Sequence, residues 1–330
     1  MNRIENTTQM KNQTFGVEVE MARITRRNCA SAIQRYFNNK YNLCYSHWDS
    51  HRENGYHAWS AIDQKGREWK CVSDCSIADA DDGCEMVTPI LTYEDIEDLQ
   101  SIVRMLREMG AKSNSAYGCG VHIHVGVKDL DGGRHNAHTL RNLVNIINSH
   151  QRLIANAIGF SESRGQHYCQ FLDSTFVDEL NSKKPRTMEE LKTLHYYTLT
   201  GGWSTDQSDQ HYSNTRYYFL NLHAVFTKGT VEFRCFEFHK NMHAGELKAY
   251  IQLCLAMSNY AKTVAYASPK EITTNNEKYT MKNWLVNMGF VGDEFKTARM
   301  MLLKRLTGDT AYRNARPLVQ RSELDDLGIE

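Results

Sequence analysis

The chain has 330 residues, 41% of them hydrophobic and only 4 of them proline, a composition that folds and leaves little room for disordered tracts. Acids and bases balance at 39 each, so no net charge draws the protein toward nucleic acid or an anionic membrane, and no specific nucleic-acid partner is expected. Residues 1–13 are polar, no apolar run approaches the roughly 20 residues of a membrane span, and the 9 cysteines form no tandem CxxC pair, so a cytoplasmic protein with reduced thiols is expected.

In chain order, residues 14–24 alternate β-branched residues with acids and predict a strand, and 27–37 fit an amphipathic helix. Residues 41–63, rich in His, Trp, Ser and Asp, lack a period and are expected to form an irregular insertion with one short strand. Strands follow at 67–72 and 84–91, joined by the polar stretch 73–83. The spacing of Ile96, Leu99, Ile102, Val103 and Leu106 predicts a helix over 93–109. A strand at 121–127 and a long helix at 136–158 come next; 161–215 is the least regular stretch, with one helix near 188–196. Strands at 218–226 and 230–238 are read as joined by a tight Lys228-Gly229 turn, followed by a helix over 243–267. Ser268-Pro269 breaks the chain before short helices near 282–288 and 294–306 and a charged tail. Strands and helices mix without strict βαβ alternation, which makes the class α+β, with a main domain over 14–267 and a small helical extension over 268–330.

Strand residues two apart share a face, and this places reactive side chains together. Glu18 and Glu20 share one face of their strand. They are either an ordinary solvated edge or, turned inward, a repelling pair for which a divalent cation is the usual remedy. His122 and His124 share a face framed by Gly118, Gly120 and Gly126, where backbone or ligand can approach closely; such an HxH binds metal or is polar surface. Glu232 and Arg234 form either a bland ion pair or a cation site beside a phosphate site. The strand before them offers Arg216 at its start, then Asn221 and His223 on one face. Glu85 is a single acid on an otherwise apolar strand, after Ser73-Asp74-Cys75-Ser76. A zinc site from Cys71, Cys75, Cys84 and Cys119 matches no common spacing, and bystander thiols are the simpler reading. Taken together, carboxylates with an imidazole suit Mg²⁺, and arginines suit phosphate oxygens. The P-loop, GxGxxG, HExxH and GxSxG patterns are absent.

Gly16-Val17-Glu18-Val19-Glu20, Asp74-Cys75-Ser76, Glu85 through Leu91, His122-Ile123-His124-Val125-Gly126, Arg164 with Tyr168-Cys169, Arg216-Tyr217 with Leu220-Asn221-Leu222, and Glu232-Phe233-Arg234 occur in that order. This ordered set, over roughly residues 14–260, resembles the amidoligase family, relatives of glutamine synthetase and glutamate–cysteine ligase. The resemblance implies a glutamine-synthetase-like catalytic domain, a curved and mainly antiparallel sheet backed by helices. It implies an ATP-dependent carbon–nitrogen ligase that phosphorylates a carboxylate, glutamyl-type by analogy, and lets an amine displace the phosphate. The acceptor is a small molecule, a peptide or a protein. By similarity Glu18, Glu20, Glu85, His122 and Glu232 hold Mg²⁺ or Mn²⁺. His124, Arg216 and Arg234 stand near the phosphates or the acyl-phosphate and act with Glu18 in catalysis. Glu20, Glu85 and Asn221 also border the nucleotide, and Asp74, Thr88 and Arg164 contact substrate. Thr88 stands where the family more often has Ser, and residues 41–66 depart from its pattern. A metal-dependent hydrolase using the HxH and carboxylates, and a non-catalytic nucleotide-binding relative, remain as alternatives; ATP consumption separates them.

Overall fold

A computed structural model describes residues 3–51, 57–77, 82–210 and 212–312. The charged tail, which closes the 268–330 extension, and small parts of the 41–66 and 73–83 stretches lie outside the described residues. Among the described residues no helix is long and apolar enough to cross a membrane.

The expected mixture of helices with an antiparallel sheet is found. The strands are β1 Gln13–Met21, β2 Trp48–His51, β3 His57–Ile62, β4 Glu68–Val72, β5 Cys84–Val87, β6 Val121–Asp129, β7 Leu220–Asn221 and β8 Thr230–Phe236. They make one sheet in the order β2-β3-β4-β5-β1-β6-β8-β7, with every pairing antiparallel. The helices are α1 Arg3–Lys11, α2 Arg26–Tyr41, α3 Ile96–Glu108, α4 Ala137–Ile158, α5 Glu162–His167, α6 Ser174–Lys183, α7 Met188–Leu199, α8 His223–Thr227, α9 Ala244–Thr263, α10 Glu277–Asn287 and α11 Lys296–Leu303.

Alternation fixes which face each strand presents. On β1, Phe15, Val17, Val19 and Met21 are buried in the core, while Gly16, Glu18 and Glu20 take the other face. On β6, Val121, Ile123 and Val125 face the core and His122 and His124 face away from it. A one-residue slip of β1 would exchange four buried apolar side chains for Gly16, Glu18 and Glu20. At roughly 1.5–3 kcal/mol for each apolar side chain, that exchange is prohibitive, so the register holds the carboxylates on the polar face. Helices α2 and α9 cover the apolar face, and α3 contacts both. Beyond Ser268-Pro269, Met281, Leu285, Met301 and Leu302 join the same continuous core as the sheet, with α11 against α9.

Helix ends follow local chemistry. The Thr25 side chain accepts from Asn28 N at the start of α2, and Asn136 with Thr139 forms a capping box at the start of α4.

Three expectations are corrected. Residues 161–215 hold α5 and α6 as well as the expected helix near 188–196. Residues 41–63 supply two strands, β2 and β3, which pair as a hairpin and extend the sheet edge; their mixed polar sequence hid the period because the hairpin is only partly covered. The 218–226 strand is reduced to Leu220–Asn221, after which the chain turns into α8. Ala224 and Val225 are both buried, and so short an apolar run reads equally as strand or helix. His223 therefore shares no strand face with Asn221. The Lys228-Gly229 turn, with Gly229 at φ 69°, joins α8 to β8 rather than two strands.

Candidate metal and active site

Strand register brings the chemistry together on the polar face. Glu18 opposes His122 and Gly16 opposes His124 across β1 and β6. His124 opposes Glu232 across β6 and β8, Asn221 opposes Glu232 across β7 and β8, and Glu20 opposes Glu85 across β1 and β5. His122 Nδ1 lies 3.2 Å from Glu18 Oε2, and His124 Nε2 lies 3.3 Å from Glu18 Oε1. Both imidazoles come within 3.9 Å of Glu232 Oε1. Three overlapping sets have ligand atoms within 4.8 Å of one another: Glu20 with Asp74 and Glu85, Glu18 with Glu85 and His122, and Glu18 with His124 and Glu232. Glu18 and Glu85 each belong to two sets, so the sets form a continuous trail across the sheet. Oxygen-dominated sets with one imidazole suit hard divalent cations such as Mg²⁺ or Mn²⁺.

The charges along this trail are arranged unequally. Burial and the neighbouring Glu18, Glu20 and Asp74 push the Glu85 carboxyl well above its usual range. Burial works in the same direction on Glu18, but the nearby His124, the hydrogen bond with His122 and Lys228 outweigh it and hold Glu18 well below that range. Glu232 is likewise buried, yet Arg234 and His124 hold it down to about 2. Its two oxygens are both taken: Arg234 Nη1 donates to Oε1 at 2.5 Å and Asn221 Nδ2 to Oε2 at 2.6 Å. Burial and the Arg234 charge lower the His122 pKa, which favours the neutral ring.

Hydrogen bonding distinguishes the two histidines. Arg164 Nη2 donates to His122 Nε2 at 3.1 Å and to the Arg234 carbonyl at 2.9 Å. A guanidinium only donates, so the His122 Nε2 lone pair is occupied and the ring carries its proton on Nδ1, toward Glu18. His124 differs: Nδ1 pairs with Thr230 Oγ1 at 3.0 Å, and Nε2 faces Glu18 and Glu232 without a hydrogen bond. The sequence reading set His122 with metal and His124 with phosphate; in this arrangement His124 offers the open nitrogen.

Arg164, expected on substrate, is buried and contacts His122. It passes over Gly120, where a Cβ would lie 2.0 Å from its Nη1. The Gly120 N–H donates to Glu20 Oε2 at 2.6 Å, so one glycine places both a ligand carboxylate and this arginine. Asp74, also expected on substrate, joins Glu20 and Glu85 in the carboxylate trail. Thr88 Oγ1 accepts from Val17 N at 2.8 Å. Arg216 ends the short turn Asn214–Arg216 and lies over the Tyr212 and Tyr217 rings. The thiols of Cys29, Cys71 and Cys84 cluster in the core, whereas Cys75 is exposed.

Two cavities flank the trail. One of about 460 Å³ is bounded by Glu18, Thr88, Pro89, Ile90, Val127 and Lys228. The other, about 240 Å³, is bounded by Asp209, Arg216, Asn221, His223, Lys228 and Glu232. Lys228 walls both, with Nζ 3.4 Å from Glu18 Oε1. Sequence reasoning treated Lys228 only as a turn residue and passed over Asp209. The signal for Lys228 was its place between two chemistry-bearing segments; Asp209 sits in an irregular stretch and gave none.

A family profile described as "Putative amidoligase enzyme" matches residues 11–258. No curated protein matches. Among solved structures, a bifunctional glutathione synthetase from Pasteurella multocida is similar at 13% identity and a TM-score of 0.36, over 91% of this chain and 48% of that one, so the chain spans about half of its length.

Proposed function

The chain belongs to the amidoligase family, and from that premise we propose that it is an ATP-dependent carboxylate–amine ligase working through an acyl-phosphate, with a glutamyl-type acid as its electrophile. The observation that carries this reading is the unbroken trail of carboxylate and imidazole ligands, Glu20–Asp74–Glu85, Glu18 and His124–Glu232, with Lys228 and Arg234 beside it. We read the sheet as a glutamine-synthetase-like catalytic surface.

A carboxylate is a poor electrophile because oxide would have to leave. In the proposed reaction a carboxylate oxygen attacks the γ-phosphorus of ATP and ADP departs; the amine then attacks the acyl carbon, phosphate leaves and the nitrogen loses a proton. Two anions must meet in the first step, so cations are needed on both sides. Divalent ions held by the trail would neutralise phosphate charge. The protein's own part is positional. Glu232, clamped by Arg234 and Asn221, and Glu18, held ionised by its histidines, keep ligand oxygens fixed before any substrate arrives. Lys228 adds a cation at the boundary of the two cavities, and the larger, more apolar cavity suits a nucleoside.

The test is ADP release by the intact chain with Mg²⁺ or Mn²⁺ over pools of carboxylates and amines, followed by mass analysis of the product. An amide formed in step with ADP supports the reading. Amide hydrolysis without nucleotide would replace it with a metal-dependent hydrolase.

A further inference from the structure

We propose that the smaller cavity, between Asp209, Arg216, Asn221, Lys228 and Glu232, is the amine-substrate pocket, and that its occupant is a small zwitterion of the α-amino-acid class. This rests on the ligase reading above. Size makes the first division. The cavity of about 240 Å³ is roughly half the size of its neighbour at about 460 Å³, so the neighbour is the better fit for a nucleotide and this one for a smaller molecule.

A buried orphan makes the second. Asn221 is 2% exposed. Its amide nitrogen donates to Glu232 Oε2, and because a carboxylate only accepts, the orientation of the amide is fixed. Its Oδ1 then has no hydrogen-bond partner among the described residues. Asn221 lines the cavity, and a buried carbonyl oxygen without a partner calls for a donor, which an amine supplies. Asn221 is also hydrogen-bonded to a member of the Glu18–His124–Glu232 set, so a nitrogen held there lies beside the proposed reaction centre.

Charge makes the third. Arg216 and Lys228 suit a carboxylate, and Asp209 suits an ammonium. Asp209 is exposed and has no ion pair or hydrogen bond of its own among the described residues, yet the loop around it is fixed. Lys192 Nζ holds Asp206 at 2.7 Å. The Gln210 carbonyl accepts from His223 Nε2 at 2.9 Å, which leaves His223 Nδ1 to accept from the Tyr196 hydroxyl at 2.7 Å. A simple alkylamine would use only half of this pocket, and a polyamine would meet two cations.

The experiment is titration calorimetry on the intact chain with Mg²⁺ and a non-hydrolysable ATP analogue. Each common α-amino acid is titrated, and ethylamine and propionate serve as the two halves of L-alanine. The expected result is that at least one amino acid binds about tenfold or more tighter than either half, and that Asp209→Asn and Arg216→Gln each remove most of that preference. Amino acids that bind no better than ethylamine, or a preference that survives both substitutions, overturn the proposal. Trapping with hydroxylamine keeps the two readings apart, because it reports acyl-phosphate without the natural amine. ATP-dependent hydroxamate from pooled carboxylates, with no amino-acid preference, sinks the zwitterion pocket alone. An Asp209-dependent preference with neither hydroxamate nor ADP supports the pocket and sinks the ligase.

Discussion

Glu20 and Glu85 stand directly opposite each other on neighbouring strands of the sheet. Like charges so placed destabilise a sheet; burial first, then the Glu18, Glu20 and Asp74 charges, push the Glu85 carboxyl up. The folded protein thus keeps a proton that the unfolded chain releases near its ordinary value of 4.5. This group's contribution to stability is full below that pH and is lost as pH rises through the raised folded value. Glu85→Gln removes the effect. In chelator near neutral pH the variant should melt at or above the parent temperature, with a flatter alkaline slope. Added Mn²⁺ should raise its melting temperature less than it raises the parent's. A variant that melts lower in chelator would give Glu85 a structural role instead.

Gly120→Ala tests the contact between Arg164 and His122. The new methyl would occupy the space of the guanidinium, which sits at the end of a flexible side chain and can move, so the fold should survive. Turnover should fall by roughly tenfold or more, as for loss of a positioned charge, while the thermal midpoint shifts by only a few degrees. Arg164→Lys should show the same loss, because lysine cannot span His122 and the Arg234 carbonyl together. Unchanged turnover in both would make Arg164 a packing residue.

The strand carboxylates and histidines were legible because period-two alternation is local: Glu18, Glu20, His122, His124, Glu232 and Arg234 all lie on the polar face that it predicts. What spacing does not carry is long-range or two-faced. Asp74 reaches the trail from a loop, and Arg164 reaches His122 from a short helix over Gly120; neither contact leaves a periodic mark in sequence. His223 was placed on a strand because buried residues on both sides of α8 erase the distinction between periods. The difference between His122 and His124 lies in which ring nitrogen meets a donor, and spacing carries no information about that.

His195 offers a test remote from the site. It is buried among Phe176, Tyr196 and Phe226, and neither ring nitrogen has a hydrogen-bond partner among the described residues. Burial, with His223 nearby, lowers its pKa to about 3. The unfolded chain therefore takes up a proton below about pH 6.5 that the folded protein refuses until about 3, so stability is lost as pH falls across that window. His135, lowered to about 3 by burial and Lys262, adds to the same acid limb. His195→Phe fits an aromatic cage and removes two unsatisfied polar atoms. It should stabilise the fold by about 1–2 kcal/mol near neutral pH and by more at pH 5. Denaturant unfolding at the two values decides it; equal destabilisation at both would mean the ring nitrogens have partners after all.

The two strand histidines are separable by one substitution made twice. Asparagine reproduces the Nδ1 end of an imidazole and deletes Nε2. His124→Asn therefore keeps an atom for Thr230 Oγ1 but removes the nitrogen facing Glu18 and Glu232. Mn²⁺ affinity, read by calorimetry in the absence of nucleotide, should fall by roughly 10- to 100-fold, the range for disturbing a metal's immediate surroundings. His122→Asn keeps an atom for Glu18 but releases Arg164 Nη2. Its Mn²⁺ affinity should stay within about threefold of the parent, while turnover falls, because Glu18 and Arg164 lose their common anchor and with it their preorganisation. The reverse ranking, with His122→Asn losing the metal and His124→Asn retaining it, would mean that Arg164 swings away when a cation binds and frees the His122 Nε2 lone pair. In that case Gly120→Ala, which pushes Arg164 aside, should tighten Mn²⁺ binding rather than leave it unchanged, and the two measurements together fix which imidazole serves the metal.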